Sequence, residues 1–426
     1  MLGATVQLVI QVVAIAAVAW VAARILQALQ QPAVIGHMLA GILLGASVLG
    51  LLAPSWQAAL FPSASLPVLK LVGQVGVVAY MFVVGMRLDH GIVRAHARGA
   101  AWVAVSGAVV PLIAGLIFAA ALVGDPRLFP PGHGELPGVL FLGAAMAVTA
   151  FPVMARIIDE RGLTGTVVAN IALSAGSFSD VTAWSLLAIV MATLASTATG
   201  ALVTIAGAAA FVIVVAFPVR MALMRLAASN LPKRGPRIWP AVLVGLLLVG
   251  AAIWTEQIGI HPAFGAFVFG AVVPRSGLIG AWPERVSAIS VPVLLPVYFA
   301  YSGLNTHLAL VVQPDALLLT LGVIAVASVS KGVATAAAAH LAGIGPRDSI
   351  AIGALMNARG LVELILLNTG LERGVITSTL FSMMVVMTLV TTIATSPVLS
   401  LVYRRHPTLG RDEVRDARDR VEVLRD

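Results

Sequence analysis

The chain has 426 residues, of which 60% are hydrophobic and only 10% are charged, and its formal net charge is +8. A soluble domain carries about 25% charged residues, so these proportions exclude a water-soluble globular protein. The absence of cysteine excludes disulfide bonds and thiolate metal sites within this sequence. The basic residues lie in short segments between apolar runs rather than in one patch, so the positive charge predicts no nucleic-acid partner.

Thirteen apolar segments recur from end to end, most of them near the length of about 20 residues that crosses a bilayer as a helix. The first has no charge before Arg24, unlike a cleavable signal peptide, and is expected to be retained. The sequence thus predicts an all-α polytopic membrane protein with a transmembrane domain over residues 1–403 and a short charged tail over 404–426. The segments lie at about 5–28, 33–53, 66–86, 99–123, 137–160, 165–193, 199–227, 238–255, 259–274, 288–305, 315–342, 346–369 and 375–403.

Basic residues fall mainly on one side of these segments when the chain is threaded through a membrane. By the positive-inside rule that side is cytoplasmic, and an odd number of spans places the two termini on opposite sides. We therefore expect a multi-pass protein of the plasma (inner) membrane, with its N-terminus outside and its C-terminus in the cytoplasm. Arg127 and Arg373 fall outside, whereas the inner set comprises Arg24, Arg87, Arg94, Arg98, Arg220, Arg225, Lys233, Arg234, Arg237, Arg404 and Arg405.

Two spans carry helix-breaking residues near their middle. The fifth reads AAMAVTAFPVMARII, in which Pro152 removes a backbone donor and breaks the preceding turn, while the Thr149 hydroxyl can bond the freed backbone groups. The twelfth reads ALMNARGLVELI, with Asn357 and Gly360 at its centre. Paired discontinuous helices in the two halves of a transporter point to an ion site near the membrane midplane, and their exposed ends carry partial charges that need compensation.

Four charged residues lie far from either predicted membrane surface: Asp180, Lys331, Arg359 and Glu363. A charge at mid-bilayer costs at least about 2.5–3.5 kcal/mol, so such residues are functional candidates by default. At about 1.5 Å per residue, Asp180 in the sixth span and Lys331 in the eleventh reach similar depths from opposite directions. Asp180 is therefore the expected ion- and proton-binding group, and Lys331, Arg359 and Glu363 are expected to compensate charge around it.

Structural roles compete with these functional interpretations. Asp180 and Lys331 would also suit a static ion pair between helices, although an apolar pair would be less costly there. Arg359 and Glu363 stand four residues apart on one helix and suit a local ion pair. For this second pair the structural role is favoured, and for the Thr149 hydroxyl an ordinary helix-end role is equally open.

Other motifs support no further chemistry. Gly41-x3-Gly45 in the second span favours close helix packing within the protein over a specific dimer face. The Ser177, Ser179 and Asp180 cluster lacks a neighbouring buried base, so no hydrolase and no catalytic residue is predicted. No transition-metal site is predicted, because the histidines lack metal-ligand spacing; they are His37, His90, His96, His133, His261, His307, His340 and His406.

Several of these stretches together resemble the monovalent cation/proton antiporter-2 family, which includes the Kef-type proteins and the plant cation/proton exchangers. The resemblance extends from the first span to about Tyr403. Its motifs are VIGHMLAGILLGASVLG, TAFPVMARIIDERGL, IALSAGSFSDVTAW, PVYFAYSGLNT and MNARGLVELI.

The resemblance implies two inverted repeats, a core domain and a dimerisation domain, a homodimer, and crossing broken helices in spans five and twelve. It assigns ion binding to Asp180 and the basic residue of the antepenultimate span to Lys331. Ser179 departs from the family, which usually has Asp, Asn or Gln just before the aspartate, so the partner of Lys331 stays open. Kef-type proteins also carry a nucleotide-binding domain, for which the tail here is too short.

These features predict competition between a proton and Na⁺ or K⁺ at one carboxylate, driven by ion gradients without a cofactor. Burial favours the protonated form of Asp180 and a nearby lysine favours the ionised form. The oxygens of Thr149, Ser179 and Ser174 are the expected further ligands of the cation. Two alternatives remain at this stage: a cation- or proton-coupled carrier of an organic solute on the same fold, and a membrane sensor or scaffold without turnover.

Overall fold

The computed structural model describes residues 2–87, 97–132, 135–194, 198–229, 239–274 and 282–403, and every regular element in these ranges is helical. The predicted tail over 404–426 lies outside them, as do Arg94, Lys233, Arg234 and Arg237 of the predicted cytoplasmic charges.

The first half of the chain forms helices α1 (Leu2–Ala28), α2 (Ala33–Leu44), α3 (Leu49–Leu52), α4 (Pro54–Leu60), α5 (Leu66–Met86), α6 (Ala97–Ala120), α7 (Glu135–Ala147), α8 (Phe151–Glu160), α9 (Val167–Thr193), α10 (Ala198–Val214) and α11 (Arg220–Ala228). The second half forms α12 (Trp239–Gln257), α13 (Pro262–Val272), α14 (Trp282–Ile289), α15 (Leu295–Leu304), α16 (Leu308–Val311), α17 (Pro314–Ala327), α18 (Ala334–Leu341), α19 (Pro346–Met356), α20 (Leu361–Glu372) and α21 (Ser378–Tyr403). Three π-helical turns, Val215–Val219, Ser290–Leu294 and Ser328–Val333, join successive helices into continuous rods.

Within the described ranges, twelve helical segments are long and apolar enough to cross a membrane. They correspond to twelve of the thirteen predicted spans. The remaining prediction, at 259–274, corresponds to the shorter α13 (Pro262–Val272). At about 1.5 Å per residue, the 11 residues of α13 extend about 16 Å, well short of the roughly 30 Å hydrocarbon core. The prediction of an all-α polytopic membrane protein is confirmed.

The chain divides into two compact units. Unit 1 comprises residues 1–25, 36–88 and 184–309. Its helices approach closely where small residues face neighbouring backbones. A Cβ atom on Gly41 would lie 2.1 Å from the carbonyl oxygen of Phe299, and one on Gly45 would lie 2.2 Å from that of Gly303. The GxxxG stretch at the C-terminal end of α2 therefore packs against α15 inside the unit, as predicted.

Unit 2 comprises residues 26–35, 89–183 and 310–426. Helix α6 packs along α7, and α19 packs between α18 and α21. The helices α7 and α8, and likewise α19 and α20, are halves of two interrupted spans. All four buried charges predicted from the sequence belong to this unit, so the candidate site lies within it.

The α2–α15 packing makes a testable prediction. Gly41→Ala should lower the free energy of unfolding by about 1–3 kcal/mol, because the added methyl group has to displace the α15 backbone. The matched control is Gly245→Ala in α12, where a Cβ atom would meet nothing within 4 Å. Thermal denaturation of the purified proteins in detergent measures both, and equal melting temperatures would contradict the packing argument.

Candidate ion-binding site

The first interrupted span loses its helical conformation at residues 148–150. Pro152 is the second residue of α8, a position where its missing N–H group is tolerated. A continuous helix through this point would lose a backbone hydrogen bond and would place the proline ring against the carbonyl of Val148. The sequence prediction of a break before Pro152 is confirmed, and because α7 ends at Ala147, its last carbonyl groups lack the partners that a continuing helix would supply.

The second interrupted span turns at Asn357 and is non-helical over residues 358–360. Gly360 directly precedes α20. A Cβ atom at this position would lie 2.7 Å from Cγ2 of Val153 in α8 and 3.6 Å from Cβ of Ala150. The absence of a side chain at Gly360 therefore lets the two interrupted spans come together, and the predicted break at Asn357–Gly360 is confirmed.

Hydrogen bonds join the two breaks directly. The N–H of Ala150 donates to the carbonyl of Ala358 at 3.1 Å. The Thr149 hydroxyl donates to the carbonyl of Met356 at 3.3 Å and accepts from the Ser179 hydroxyl at 3.0 Å. Each break thus supplies partners that the other lost when its helix was interrupted. Thr149 bonds a freed backbone group, as the sequence predicted, and connects that group to α9.

Asp180 follows Ser179 on α9 and is fully buried. The backbone N–H of Phe151, the first residue of α8, faces this carboxyl group. No described residue makes a well-formed hydrogen bond to either carboxylate oxygen. A carboxylate near the N-terminus of a helix is stabilised by the positive end of the helix dipole, while its own oxygens remain available to a small cation or a proton.

Two positively charged side chains, those of Arg359 and Lys331, bind the C-terminal end of α7. Nη1 of Arg359 donates to the carbonyl of Ala145 at 3.0 Å, and Nη2 donates to that of Met146 at 2.9 Å. Nζ of Lys331 donates to the next carbonyl, that of Ala147. The last three residues of α7 therefore give their carbonyl groups to two positive charges, which offset the negative end of the helix dipole. Lys331 lies in the π-helical turn Ser328–Val333.

Arg359 also pairs with Glu363 on the same chain segment. Nη1 of Arg359 lies 3.1 Å from Oε1 of Glu363, and both side chains are fully buried. The local ion pair predicted from their spacing is confirmed. Oε2 of Glu363 has no hydrogen-bond partner among the described residues.

A direct ion pair between Asp180 and Lys331, one of the two interpretations left open by the sequence, does not form in the described part of the chain. The ammonium group binds the Ala147 carbonyl instead, and the carboxylate has no hydrogen-bonded partner. Lys331 still lies within electrostatic range of Asp180. The carbonyl at the end of α7 therefore holds the lysine in place, although Ser179 provides no carboxylate beside the aspartate.

Ser174 is buried and its hydroxyl has no partner among the described residues. It precedes Asp180 by six residues on the continuous helix α9. At 3.6 residues per turn, its side chain points about 120° away from that of Asp180 around the helix. The hydrogen bonds that join Ser179 to Thr149 do not extend to Ser174, so its part in ion binding stays a prediction.

Sequence reasoning missed the threonines of α21. The Thr392 hydroxyl accepts from the N–H of Arg359 at 2.9 Å and lies 2.9 Å from the carbonyl of the same residue. The Thr395 hydroxyl donates to the carbonyl of Ala354 at 3.1 Å. The two hydroxyl groups therefore bond backbone groups at and just before the break in the second interrupted span, and so stabilise its non-helical conformation. The signal available in the sequence was a run of threonines three to four residues apart in an otherwise apolar helix: Thr388, Thr391, Thr392 and Thr395.

Comparison with known proteins gives three kinds of match. Residues 13–403 match the family described as sodium/hydrogen exchanger, transmembrane. The chain is 34% identical over 376 residues to the Na(+)/H(+) antiporter NhaS4 of Synechocystis sp., covering 88% of this chain and 92% of that protein. Its fold is similar to that of the sodium proton antiporter MjNhaP1 from Methanocaldococcus jannaschii, with a TM-score of 0.60, 16% identity, and coverage of 93% and 97% of the two chains.

Other similar proteins are longer than this chain. Cation/H(+) antiporter 20 of Arabidopsis thaliana is 34% identical over 414 residues, which are 93% of this chain and 48% of the plant protein. K(+)/H(+) antiporter 1 of Saccharomyces cerevisiae is 31% identical over 399 residues, which are 91% of this chain and 45% of the yeast protein. The chain therefore spans about half the length of these plant and yeast relatives. The matches agree with the family resemblance seen in the sequence motifs.

The charge arrangement at the end of α7 predicts a stability effect. Lys331→Ala should lower the free energy of unfolding by about 1.5–3 kcal/mol, the typical contribution of a hydrogen bond to a charged group. It also leaves the end of α7 with one positive charge instead of two. Arg373→Ala is the matched control, because Arg373 is an exposed residue at the end of α20. Melting temperatures in detergent provide the comparison, and an unchanged value for Lys331→Ala would show that the ammonium group does not stabilise the helix end.

Proposed function

The chain belongs to the transmembrane sodium/hydrogen exchanger family, and we propose that it exchanges a monovalent cation, Na⁺ or K⁺, for H⁺ across a membrane. The names of its relatives support both ions, since they include Na(+)/H(+), cation/H(+) and K(+)/H(+) antiporters. It works as a secondary transporter and not as an enzyme, with ion gradients as its source of energy and no cofactor.

One observation carries the mechanism: Asp180 is fully buried, and neither of its oxygens has a hydrogen-bond partner among the described residues. An ionised carboxylate is too costly to leave without compensation in such a place, so it takes up either a proton or a cation. The two ligands compete because each neutralises the same charge. Ser179 directly precedes Asp180 on α9 and its hydroxyl bonds that of Thr149 in the first break, so these two hydroxyls offer neutral oxygens of the kind that suits an alkali cation.

Coupling follows from the cost of moving charge through the bilayer. In the unloaded site the ionised carboxylate of Asp180 is buried without a hydrogen-bond partner among the described residues, whereas in the proton-loaded and cation-loaded sites its charge is neutralised. Moving a bare charge through hydrocarbon costs several kcal/mol, so only loaded forms change their access from one side to the other. Each turnover then carries a cation one way and a proton the other. This is alternating access, in which the paired breaks keep the ion site intact.

The same proposal includes a homodimer in the plasma (inner) membrane with the N-terminus outside and the C-terminus in the cytoplasm. The distribution of basic residues in the sequence supports this orientation by the positive-inside rule. Placing the termini on opposite sides also requires that the segment containing the short α13 (Pro262–Val272) crosses the membrane as the thirteenth span. Its partners are the lipid bilayer, monovalent cations and protons, and they include no nucleic acid.

Asp180→Asn should abolish exchange, because a neutral amide cannot trade a proton for a cation. Asp315→Asn is the control, since the Asp315 side chain is 85% exposed, and it should exchange at the wild-type rate. The measurement is cation-induced dequenching of a pH-sensitive dye in everted vesicles, with the amount of inserted protein matched. Wild-type proton efflux from Asp180→Asn would refute the single-carboxylate mechanism.

The orientation is testable because the chain contains no cysteine. Ser63 and Arg347 are exposed positions near helix starts, and the proposed topology places Ser63 outside and Arg347 inside. A membrane-impermeant maleimide applied to intact cells should label Ser63→Cys and leave Arg347→Cys unlabelled until the cells are opened. The reverse pattern, or labelling of both in intact cells, contradicts the proposed topology.

A further inference from the structure

Two positive charges share one helix end at the centre of unit 2. Arg359 binds the carbonyl groups of Ala145 and Met146, and Lys331 binds that of Ala147. Because these carbonyl groups belong to consecutive residues, the guanidinium and ammonium groups are held close together away from water. Like charges in a medium of low dielectric constant repel strongly, so this arrangement needs a negative charge nearby.

The repulsion would act on the lysine rather than on the arginine. A guanidinium group does not lose its proton in proteins, whereas a buried ammonium group does so readily. A Lys331 that released and regained a proton in each cycle would add a second proton to the exchange. The charge next to Arg359 therefore decides how many protons accompany each cation.

The described groups that face Lys331 can be named from each element around it. They are the Ala147 carbonyl on α7, Asp180 on α9, and Arg359 and Glu363 on the second interrupted span. On its own helix, the Thr335 hydroxyl donates to the Lys331 carbonyl at 2.6 Å and adds no charge. Glu363 is the only acid among these besides Asp180, and it is held at 3.1 Å by the same Nη1 atom that binds Ala145.

We propose that Glu363 is a fixed counter-charge that keeps Lys331 protonated throughout the cycle, so that one proton is exchanged for one monovalent cation. A proton or a monovalent cation neutralises the Asp180 carboxylate equally, and the charges of Lys331, Arg359 and Glu363 are the same in both loaded states. The two loaded states then have the same charge, and the exchange moves no net charge across the membrane.

In this assignment Glu363 acts as a positioning residue rather than as an ion ligand. Its role is the one that an acid directly before the aspartate would serve, and that position here holds Ser179, whose neutral hydroxyl is engaged with Thr149 at 3.0 Å. The second negative charge of the centre is thus that of Glu363 on α20, which is paired with Arg359 and acts on Lys331 electrostatically. The inference rests on the proposed cation/proton exchange.

The test uses purified full-length protein in proteoliposomes with Na⁺ and K⁺ as separate substrates. Currents on a solid-supported membrane give the charge moved per cation, and an enclosed pH-sensitive dye gives the protons moved. Wild type and Glu363→Asp should show a ratio of one proton per cation and no transport current. Glu363→Gln should raise the ratio toward two over part of the pH range, with a current that grows in parallel. A ratio of one at every pH in Glu363→Gln, or a ratio of two in wild type, overturns the proposal.

Two controls keep the outcome interpretable. If wild type and Glu363→Asp exchange no cation for protons, the proposed function itself fails, and the counter-charge is not what the experiment has refuted. If Glu363→Gln does not fold, the double variant Arg359→Gln/Glu363→Gln replaces it, because removing both charges removes the repulsion. That variant should fold and retain a ratio of one. A ratio above one in the double variant, or its failure to fold at all, contradicts the view that charge balance is the function of Glu363.

Discussion

Inside a bilayer every backbone N–H and C=O group needs a partner from the protein, and this constraint organises the centre of unit 2. Two of its spans are interrupted in the middle, at residues 148–150 and 357–360. Each break exposes backbone groups that a continuous helix would have paired. The two breaks satisfy this need together, through the bond between Ala150 and Ala358 and through the hydroxyl groups of Thr149 and Thr392.

The interrupted helix also explains the placement of the buried charges. Its first half ends in carbonyl groups that bind Arg359 and Lys331, and its second half begins with an N–H that faces Asp180. The positive side chains therefore sit at the negative helix end and the aspartate at the positive one. Nζ of Lys331 and both Nη atoms of Arg359 are bonded within the described part of the chain, whereas Nε of Arg359, one oxygen of Glu363 and both oxygens of Asp180 have no hydrogen-bond partner there. Among these charged groups only the carboxylate of Asp180 has both oxygens without a partner, which supports the proposal that ions exchange there.

Several parts of this centre were predictable from residue types alone. Pro152 and the Asn357–Gly360 stretch predicted the two breaks because proline blocks a continuous helix and asparagine and glycine disfavour one. The spacing of Arg359 and Glu363 predicted their pair, since residues four apart on a helix are neighbours. The partner of Lys331 was not predictable, because it is a backbone carbonyl and carries no signal in the identity of Ala147. The role of Thr392 was missed for a similar reason, since its partner is the backbone of Arg359.

The sequence by itself therefore determined the class of the protein, the number of apolar spans to within one short helix, the two breaks and the identity of the buried charges. These properties follow from local quantities: the length of apolar runs, the backbone limits of proline and glycine, and the cost of charge in hydrocarbon. Only the tertiary structure decided which buried side chain bonds to which partner and which residues of the two breaks lie in contact. That Lys331 binds the end of α7 rather than Asp180, and that Gly360 lies against Val153, depends on contacts between residues about 180 and 200 positions apart in the chain. Such pairings arise from how the helices pack, and no local pattern in the sequence encodes them.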